Sequence, residues 1–557
     1  MDDFCITPRC RLCRFNFIED DNIVILRPDG RVVTLPFGTV EDNTCTYKPC
    51  SPGCRHWDGN LTGYHTNCLQ LGGYKLTTTT PKLSDVTSYT YDPWPGEDTR
   101  RFHWMRSRFA SIIYSSLSLR LPIEVCDMIA QYCICGYASH ISNKFCHENI
   151  SHNFGINLSK PVWARYASFD GLVYIVSLTN YPTWDDVEPI LLPDTPVHTV
   201  YVAEDHLGVR EVHFNKVRHH PAPGLWWRTI RMHTPQLHGR TDGSKLRRLV
   251  CPGHKSDDDV LWAAPQLCPE RLRLIKLTAS TAPFKMALLK LDSEVIGYTF
   301  CWNNRIIALK PHSYKEDLSY YKYIAADYPH ALWSYVPLRS YERIIEIWQR
   351  RRKYGKEIAF IAITNQDRIL VIGAHPKPCW PPCSYELLYK AKPDEGPFYI
   401  DESPAGICAV ASWPSTGRTV TRRLPAALSP YPHSMSYEDY LYTTASVENV
   451  SHVRPCRVES IITGLVFDYA DGHRECVGQI RLDCLEAPTM IDVSQKMWLK
   501  VSLSPRGFPQ VVDVGFSPKS KSDEYICIVW RGSLEWWVSL NQCQLYHDGQ
   551  ASLSTRL

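Results

Sequence analysis

Cysteine and histidine occur at metal-ligand spacings near the start of the chain. Cys10 and Cys13 form a C-x2-C pair, and His65 and Cys68 form an H-x2-C pair. Two thiolates at this spacing can bind one side of a tetrahedral Zn²⁺ ion, and a second pair donated from the start of a helix can complete the site. We therefore expect these four residues to bind one zinc ion.

Four further metal-ligating residues lie between those pairs, namely Cys45, Cys50, Cys54 and His56. Their spacing is less regular, but three thiols and one imidazole form a Cys3His set for a second zinc ion. Cys5 is a spare thiol that could replace one of them. The alternative is that these are simply buried thiols, since cysteine is among the most buried residue types. Because four protein ligands leave no place for water, either ion is expected to stabilise the fold and not to catalyse.

The segment between the ligand pairs predicts a β-hairpin. Apolar runs in residues 15–26 and 31–37 flank a turn at Asp29 and Gly30. A knuckle, a hairpin and then a ligand pair that leads into a helix is the order of elements in a treble-clef zinc fold, which residues 1–75 resemble. They also resemble RING, LIM and PHD cross-brace fingers in general terms. The central C-x-H-x2-C-x2-C run of a RING is absent, so direct ubiquitin-ligase activity is not expected.

A linker and two helices follow. Residues 76–100 are rich in proline and small polar residues, which is typical of a linker. The next stretch has apolar residues at helical spacing, namely Phe102, Met105, Phe109, Ile112 and Ile113. A second helix is predicted from Leu121, because Pro122 suits a first helical turn and Glu124 complements the positive end of the helix dipole.

That second helix opens with Leu-Pro-Ile-Glu at residues 121–124 and resembles the start of an F-box. In the F-box family this segment binds the Skp1 adaptor of an SCF ubiquitin ligase. The resemblance implies that the partner-binding residues are Leu121, Pro122, Ile123, Val125 and Ile129. The alternative is a helix whose apolar stripe packs only against its own domain.

From Val162 onward the chain consists of short alternating or wholly apolar runs that predict strands, in residues 172–178, 197–203, 209–214, 295–302 and 305–309. The connections are too short for crossover helices, so the pairing is expected to be antiparallel. A weak repeat follows, in which residues 358–373 and 462–478 each have a strand, a polar turn, a strand and a glycine. This unit predicts like sheets in a barrel, sandwich or prism.

The first copy of the repeat resembles the strand pattern of the jacalin-type β-prism lectins, which implies a glycan as ligand. Two tryptophan pairs, Trp226 with Trp227 and Trp536 with Trp537, could form aromatic platforms for a sugar. The alternative is that these rings pack in the cores of the β domains, which is the commoner fate of paired aromatics.

Chain length and net charge limit the classes of protein to which this sequence can belong. A chain of 557 residues is too long for one ordinary core. Its formal net charge of +3 is close to neutral, so a nucleic-acid partner is not expected. The N-terminus lacks a secretory signal pattern and no apolar run approaches about eighteen residues, so we expect an intracellular protein, cytoplasmic or nuclear, with no membrane span. In a reducing compartment, the 22 cysteines favour metal binding or burial over disulfides.

Common catalytic motifs are absent from the sequence. His147 and His152 flank a glutamate but are five residues apart, whereas the zinc-protease motif needs four so that both project from one helix face. No Gly-x-Ser-x-Gly elbow, Gly-x-Gly-x-x-Gly loop or Gly-Lys-Ser/Thr phosphate loop occurs.

We therefore predict an α+β chain that is mostly β, with a small zinc-bound N-terminal module, a short helical segment and a large antiparallel β region (sandwich, barrel or β-prism-like). The expected segments are a zinc-finger-like module 1–75, a linker 76–100, an F-box-like helical segment 101–140, a β-rich domain 160–330 and a β-rich domain with repeated hairpins 331–557. The combination resembles multidomain proteins of filamentous fungi.

The expected function is that of a non-enzymatic interaction or recognition protein. The first hypothesis is a substrate-recruiting, F-box-like adaptor of a ubiquitin ligase, with a Skp1-like protein as partner. The second is a carbohydrate-binding, jacalin-like β protein. The third is an enzyme whose site is assembled from distant residues, because catalytic groups need to be neighbours only in space.

Overall fold

The computed structural model of the chain describes most of its residues, namely 2–27, 29–41, 45–51, 61–71, 88–117, 120–148, 152–182, 186–217, 222–253, 260–266, 271–278, 283–314, 317–352, 358–381, 383–391, 396–414, 419–420, 426–433, 438–516 and 524–553. The fold is mostly β, with 47% strand and 13% helix, which confirms the predicted class. Two compact units are formed, one from Met1–Pro269 with Ser280–Lys285 and one from Glu270–Ala279 with Met286–Leu557. The five segments expected from the sequence remain predictions about domain organisation.

The first unit begins with a six-stranded sheet in the order β3-β2-β6-β1-β5-β4. Its strands are β1 Asp2–Cys10, β2 Asn22–Leu26, β3 Val32–Pro36, β4 Val40–Glu41, β5 Cys45–Pro49 and β6 Leu61–His65. The predicted hairpin is present as β2 and β3, and its turn includes Gly30 at φ 81°. β1 runs parallel to both β5 and β6, so the sheet is mixed. The parallel pairing with β6 brings two chain segments far apart in sequence side by side.

Among the described residues, three helices follow this sheet: α1 Thr66–Leu71, α2 Glu97–Ser116 and α3 Ile123–Glu148. α2 carries Glu97 and Asp98 in its first turn, where carboxylates complement the helix dipole. α2 and α3 pack against each other through small residues, with Ala110 of α2 against Cys126 and Ala130 of α3. The close approach that these small side chains permit explains the packing of the two helices as a hairpin. No described helix is both long enough and apolar enough to cross a lipid bilayer.

The rest of the first unit is antiparallel β structure. Its strands are β7 His152–Asn157, β8 Val162–Phe169, β9 Leu172–Thr179, β10 Val187–Leu191, β11 Thr199–Glu204, β12 Val209–Phe214, β13 Trp226–Arg231, β14 Gln236–Thr241, β15 Leu246–Val250 and β16 Val260–Trp262. They pair as β10-β8-β9, β15-β14-β7 and β12-β11-β13-β16. The expected strands in residues 172–178, 197–203 and 209–214 correspond to β9, β11 and β12.

In the part of the chain that the structure describes, the second unit is also antiparallel and contains one α-helix. Its elements are β17 Arg273–Lys276, β18 Phe284–Leu288 (which begins in the first unit), β19 Gly297–Trp302, β20 Ile306–His312, α4 Tyr320–Asp327, β21 Leu332–Pro337, β22 Ile344–Arg351, β23 Ile358–Thr364, β24 Ile369–Ile372, β25 Ser384–Lys390, β26 Phe398–Asp401, β27 Ala409–Ser412, β28 Thr419–Val420, β29 Leu441–Ser446, β30 Val450–Val458, β31 Ile461–Tyr469, β32 Arg474–Gly478, a 3₁₀ turn Leu482–Cys484, β33 Thr489–Met490, β34 Met497–Leu503, β35 Pro509–Gly515, β36 Tyr525–Ile528, β37 Ser533–Val538, β38 Cys543–His547 and β39 Gln550–Ala551.

The weak repeat in the sequence corresponds to two like meanders in the second unit. One is β22-β23-β24 and the other is β30-β31-β32, each built from successive antiparallel pairs. Each turn that was predicted as polar contains a residue at positive φ, Asp367 in the first copy and Gly472 in the second. Apolar residues from both meanders enter one large core, including Phe360 and Phe467.

Candidate metal centre

The first ligand pair lies in a tight turn at the end of β1. The backbone N–H of Arg14 donates to the carbonyl of Cys10 at 2.8 Å, and Arg14 adopts a left-handed φ of 62°. A second bond, from the N–H of Cys10 to the carbonyl of Phe15 at 3.0 Å, closes the turn. The turn brings Cys13 back beside Cys10, which is the knuckle predicted from the C-x2-C spacing.

The second pair lies where β6 passes into α1. His65 is the last residue of β6, and Cys68 falls in the first turn of α1. Since β6 runs parallel to β1, with Gly63 opposite Cys10, the two pairs arrive at the same edge of the sheet. The N–H of His65 also donates to Cys10 Sγ at 3.3 Å, which fixes the two segments in register.

The four predicted residues form one cluster of ligand atoms. The Sγ atoms of Cys10, Cys13 and Cys68 and a ring nitrogen of His65 all lie within 4.8 Å of one another. His65 Nδ1 is 3.3 Å from Cys13 Sγ and 3.7 Å from Cys68 Sγ. A tetrahedron around an ion at Zn–S and Zn–N bond lengths has edges of about 3.5–3.8 Å. This group could therefore hold a metal ion.

Three of the four ligands are buried, and a carboxylate orients the fourth, His65. Cys10, Cys13 and Cys68 are fully buried, while the His65 side chain is 14% exposed. His65 Nε2 lies 3.3 Å from Asp21 Oδ2, so the ring can donate to the carboxylate and turn Nδ1 towards the sulfurs. Carboxylates in this role orient metal-binding histidines and raise their basicity. The sequence argument did not identify Asp21, because no motif spacing distinguishes it.

The cluster strongly favours a positive charge. Burial opposes a charged imidazole, but the hydrogen bonds and charges of Cys10 and Cys68 outweigh it and raise the pKa of His65 to about 11. Burial likewise opposes a thiolate at Cys10, yet hydrogen bonds from Cys13, Cys68 and His65 hold its pKa well below the usual value. Burial and the neighbouring Cys10 raise the pKa of Cys13, and Cys10 also raises the pKa of Cys68, so the negative charge of the cluster is concentrated on Cys10. A thiolate at that position is the form of cysteine that binds a metal ion.

A further sulfur, which the sequence argument missed, adjoins the cluster. Cys135 lies in α3, and the neighbouring Cys13 lowers the pKa of its thiol to about 7. It is partly exposed and packs against the core of the N-terminal module together with Ile134 and Ala138 of the same helix. Cys135 is more than a hundred residues beyond Cys13 in the sequence, so no local spacing could have indicated this contact.

The second predicted ligand set does not form one site from its described members. Cys45 begins β5 and Cys50 follows its last residue, so extended backbone separates the two by about 16 Å. That separation is too large for both sulfurs to bind one ion. Each also has another contact, Cys45 Sγ with Arg27 and Cys50 Sγ with the carbonyl of Ser51. Cys54 and His56 lie outside the described residues.

A buried ion cluster lies directly beyond the metal knuckle. Arg14, which follows Cys13, and Arg101 of α2 both bind the carboxylate of Asp170 in the turn between β8 and β9. All three side chains are almost completely buried. The guanidinium of Arg14 also lies 4.6 Å from the centre of the Phe169 ring. This cluster joins the knuckle, the helical hairpin and the antiparallel β structure of the first unit.

The F-box-like residues lie at the start of α3 and differ in exposure. Leu121 is half-buried and packs into the small core of the helical hairpin. Pro122, Ile123, Val125 and Ile129 are exposed. Further along the same helix the face that contains Val125 and Ile129 also carries two exposed apolar side chains, Met128 at 58% and Tyr132 at 86% exposure.

The histidine pair and the tryptophan pairs from the sequence analysis can also be placed in the structure. His147 lies in α3 and His152 in β7, so the two histidines do not share a helix face. Trp227, Trp536 and Trp537 are buried, as expected if these tryptophans pack in cores. No protein-family model matches the sequence, and no curated protein matches it either.

Proposed function

We propose that this chain is a non-enzymatic adaptor protein that binds a partner protein through α3. The observation that carries the proposal is an apolar stripe on the solvent side of this helix, formed by Val125, Met128, Ile129 and Tyr132. Residues three and four positions apart share a helix face, so these side chains form one continuous strip. Contiguous apolar patches on the surface of a folded chain mark protein interaction sites.

The opposite side of α3 already has its packing partners. Cys126, Ala130, Ile134 and Ala138, spaced four residues apart, are buried against α2 and the N-terminal module. A surface helix normally has one apolar stripe, which faces its own core. The second stripe on α3 thus has no role in the packing of the described residues, which supports binding of another protein.

The proposed partner is a Skp1-like adaptor of a ubiquitin ligase. The stripe starts at the Leu-Pro-x-Glu opening of α3, where the F-box family binds Skp1. Pro122, Ile123, Val125 and Ile129 are all available at the surface for such contacts. Leu121 would contribute indirectly, because it packs inside the hairpin and sets the position of the helix start.

The metal ion in this proposal is zinc, and its role is structural. Three thiols and one imidazole are a frequent ligand set for structural zinc, and four protein ligands leave no coordination position for a substrate. The ion would fix α1 against β6, and α1 packs in turn against α3 near Gly136 and Leu71. Zinc would thereby hold the binding helix in place.

Binding of the full chain to a purified Skp1-like adaptor tests the proposal. Met128→Glu places a charge in the stripe and is expected to weaken binding about tenfold or more, as for a central interface residue. Met490→Glu is the matched control, because Met490 is 77% exposed on β33 in the second unit. Isothermal titration calorimetry gives the affinity of each variant.

Two results would overturn the assignment of the partner. One is the absence of binding by the wild-type chain at about 100 µM adaptor, which limits the binding free energy to less than about 5.5 kcal/mol in magnitude. The other is equal affinity of Met128→Glu and Met490→Glu, which would move the contact away from α3. Circular dichroism of both variants confirms that each is folded.

A further inference from the structure

The carboxylate of Asp170 is bound by more positive charge than it can neutralise. Arg14, which follows the metal knuckle, and Arg101 of α2 each carry one positive charge, and both bind Asp170 Oδ2. The three side chains are at most 2% exposed, so bulk water screens these charges little. Two guanidinium groups against one carboxylate leave one positive charge in excess. A buried charge without a counter-charge is costly, because the protein interior solvates it far less well than water does.

The hydrogen bonds of the two guanidinium groups show the same excess. Within the part of the chain that the structure describes, Nε and Nη1 of Arg14 and Nη1 and Nη2 of Arg101 are buried and have no acceptor. Asp170 Oδ1 is also buried without a partner, and a carboxylate oxygen has room for about two donors. Each Nη atom alone carries two hydrogens, so most of these N–H groups would still need an acceptor if Asp170 turned towards them.

The geometry of the two groups leaves their edges as the places where an acceptor can bind. Arg14 Cζ lies 4.6 Å from the centre of the Phe169 ring, and Arg101 Cζ lies 4.5 Å from the centre of the Phe15 ring. A guanidinium group donates in its own plane, so a ring over its face leaves the N–H groups available. Nη1 and Nη2 of Arg101 form the fork that binds two oxygens of one oxyanion. Because both arginines donate to Asp170 Oδ2, their donating nitrogen atoms lie within about 6 Å of each other.

A third cation adds to the positive potential around the two arginines. Lys245 Nζ lies 4.0 Å from the centre of the Phe169 ring that Arg14 also contacts, and it forms an ion pair with Asp242. Burial lowers the pKa of Lys245 to about 8, and the charges of Arg247 and Arg14 lower it further against the opposing effect of Asp242. The positive field of this region thus extends beyond the two arginines, which favours a negatively charged ligand.

An exposed cluster in the second unit shows that composition alone does not produce this excess. Arg454 and Arg474 also share one carboxylate, that of Asp468, and each binds a different oxygen of it. Their side chains are 30% and 45% exposed, so solvent can accept from their other N–H groups and screen their charge. Burial distinguishes Arg14 and Arg101 from this pair.

We propose that Arg14 and Arg101 bind one small oxyanion, phosphate or sulfate, beside the metal knuckle of the first unit. A tetrahedral oxyanion supplies several acceptor oxygens together with negative charge, so it satisfies the N–H groups and neutralises the excess of positive charge. A buried water molecule would accept hydrogen bonds but would leave the charge. Because the binding side chains are almost completely buried, a free ion suits this position better than a phosphate group on a larger molecule.

Urea unfolding of the full-length, zinc-loaded chain in phosphate tests the proposal. A ligand that binds only the folded chain lowers the unfolding equilibrium constant about tenfold for each tenfold rise in its concentration above Kd. We expect this dependence for phosphate and for sulfate between about 0.1 and 10 mM, measured by hydrogen exchange of peptides from α2. A response no greater than that to chloride at equal ionic strength would overturn the proposal. No partner protein takes part, so the result is independent of the proposed function.

Variants separate a bound ion from the general stabilisation that phosphate and sulfate give to folded proteins. Arg101→Gln removes the fork and should respond to phosphate only through that general effect. Arg474→Gln is the matched control from the exposed cluster and should respond like the wild-type chain. Asp170→Asn should bind phosphate more than about tenfold more tightly, because it removes a neighbouring negative charge. Equal responses of Arg101→Gln and Arg474→Gln, or weaker phosphate binding by Asp170→Asn, would overturn the proposal.

The anion content of the wild-type chain decides if Arg101→Gln and Asp170→Asn do not fold. The chain is incubated with phosphate, transferred to chloride buffer on a desalting column and then denatured. Ion chromatography and mass spectrometry identify the small anions that are released. The expected result is one phosphate or sulfate ion per chain, because a buried ion exchanges slowly. Release from fewer than half of the chains, or release of a phosphate ester in place of the free ion, would overturn the proposal.

Discussion

At the scale of single residues, the metal cluster combines local spacing with one long-range contact. The first ligand pair lies in a tight turn and the second lies where β6 passes into α1. Both arrangements are local, which explains why the four ligands could be predicted from spacing alone. The parallel pairing of β1 with β6 then brings the pairs together. The local motifs identify the four ligands, and the pairing of the strands in the sheet brings the four together in one site.

Removal of one ligand should abolish metal binding. We expect Cys13→Ala to lose one zinc equivalent per chain, because three ligands do not retain the ion against a chelator. Cys301→Ala is the control, since Cys301 is equally buried but lies in the second unit. Metal content is measured by inductively coupled plasma mass spectrometry after dialysis. Retention of zinc by Cys13→Ala would show that the ion is bound elsewhere.

The carboxylate behind His65 should tune the affinity without changing the number of ions. Asp21→Asn keeps the shape of the side chain but removes the charge next to His65 Nε2. Loss of such a partner weakens metal binding about 10–100-fold. The adjacent variant Asp20→Asn is the control, because Asp20 is exposed and its left-handed φ of 67° suits asparagine. Competition with a chelator of known affinity measures the metal affinity of both variants. Equal affinities would show that Asp21 does not contribute to the site.

At the scale of elements, α3 has two faces with different roles. One face packs against α2 near the start of the helix and against the N-terminal module further along, and the other is the exposed stripe. The sequence predicted a helix here but not this division. Every apolar residue in the segment looks alike in the sequence, and only the positions of α2 and the sheet decide which of them are buried.

The division predicts unequal effects of truncating two neighbouring side chains. Ile134→Ala should destabilise the first unit by about 2–4 kcal/mol, because it leaves a cavity in the module core. Tyr132→Ala should change stability by less than about 0.5 kcal/mol, since Tyr132 is 86% exposed. Urea unfolding followed by hydrogen exchange of peptides from α3 measures both. A large loss for Tyr132→Ala would mean that the stripe is covered within the chain.

More of the helices and strands could be predicted from the sequence than of the contacts between them. The hairpin at Gly30 and the two like meanders follow from alternation and turn residues, which are local signals. The bond of Arg14 to Asp170 joins residues 156 positions apart, and nothing near either residue indicates it. The start of α2 at Glu97 lies in a segment expected to be a linker, because the prolines that precede it concealed the helix start.

At the scale of the molecule, the first unit is held together by a buried charge. Asp170 accepts from Arg101 Nε at 2.6 Å and also binds Arg14. Burial alone would raise the pKa of Asp170, but the charges of Arg14 and Arg101 outweigh it and lower the pKa to about 2. One carboxylate thus connects the knuckle, the helical hairpin and a β turn.

This cluster should make the first unit sensitive to acid. The pKa of Asp170 is lower in the folded chain, so its contribution to stability is fully present above about pH 4 and is lost as the pH falls towards 2. The loss corresponds to about 2–3 kcal/mol. Asp170→Asn should remove this dependence and cost about 3–5 kcal/mol at pH 7, because two buried cations lose their partner.

The exposed residue Asp194 provides the matched control for that measurement. Asp194→Asn should unfold in urea like the wild-type chain at pH 7, at pH 4 and at pH 3. If Asp170→Asn retained the wild-type acid sensitivity of peptides from α2, another carboxyl group would have to be responsible.

The packing of α3 on the metal module also determines how the helical hairpin would behave alone. A peptide of residues 97–148 would lack the surface that covers Ile134 and Ala138. It would then present two apolar sides to water, and self-association would compete with any specific recognition. The helical hairpin is therefore not expected to fold and bind on its own, and transferring it to another scaffold would require the N-terminal module to be transferred with it.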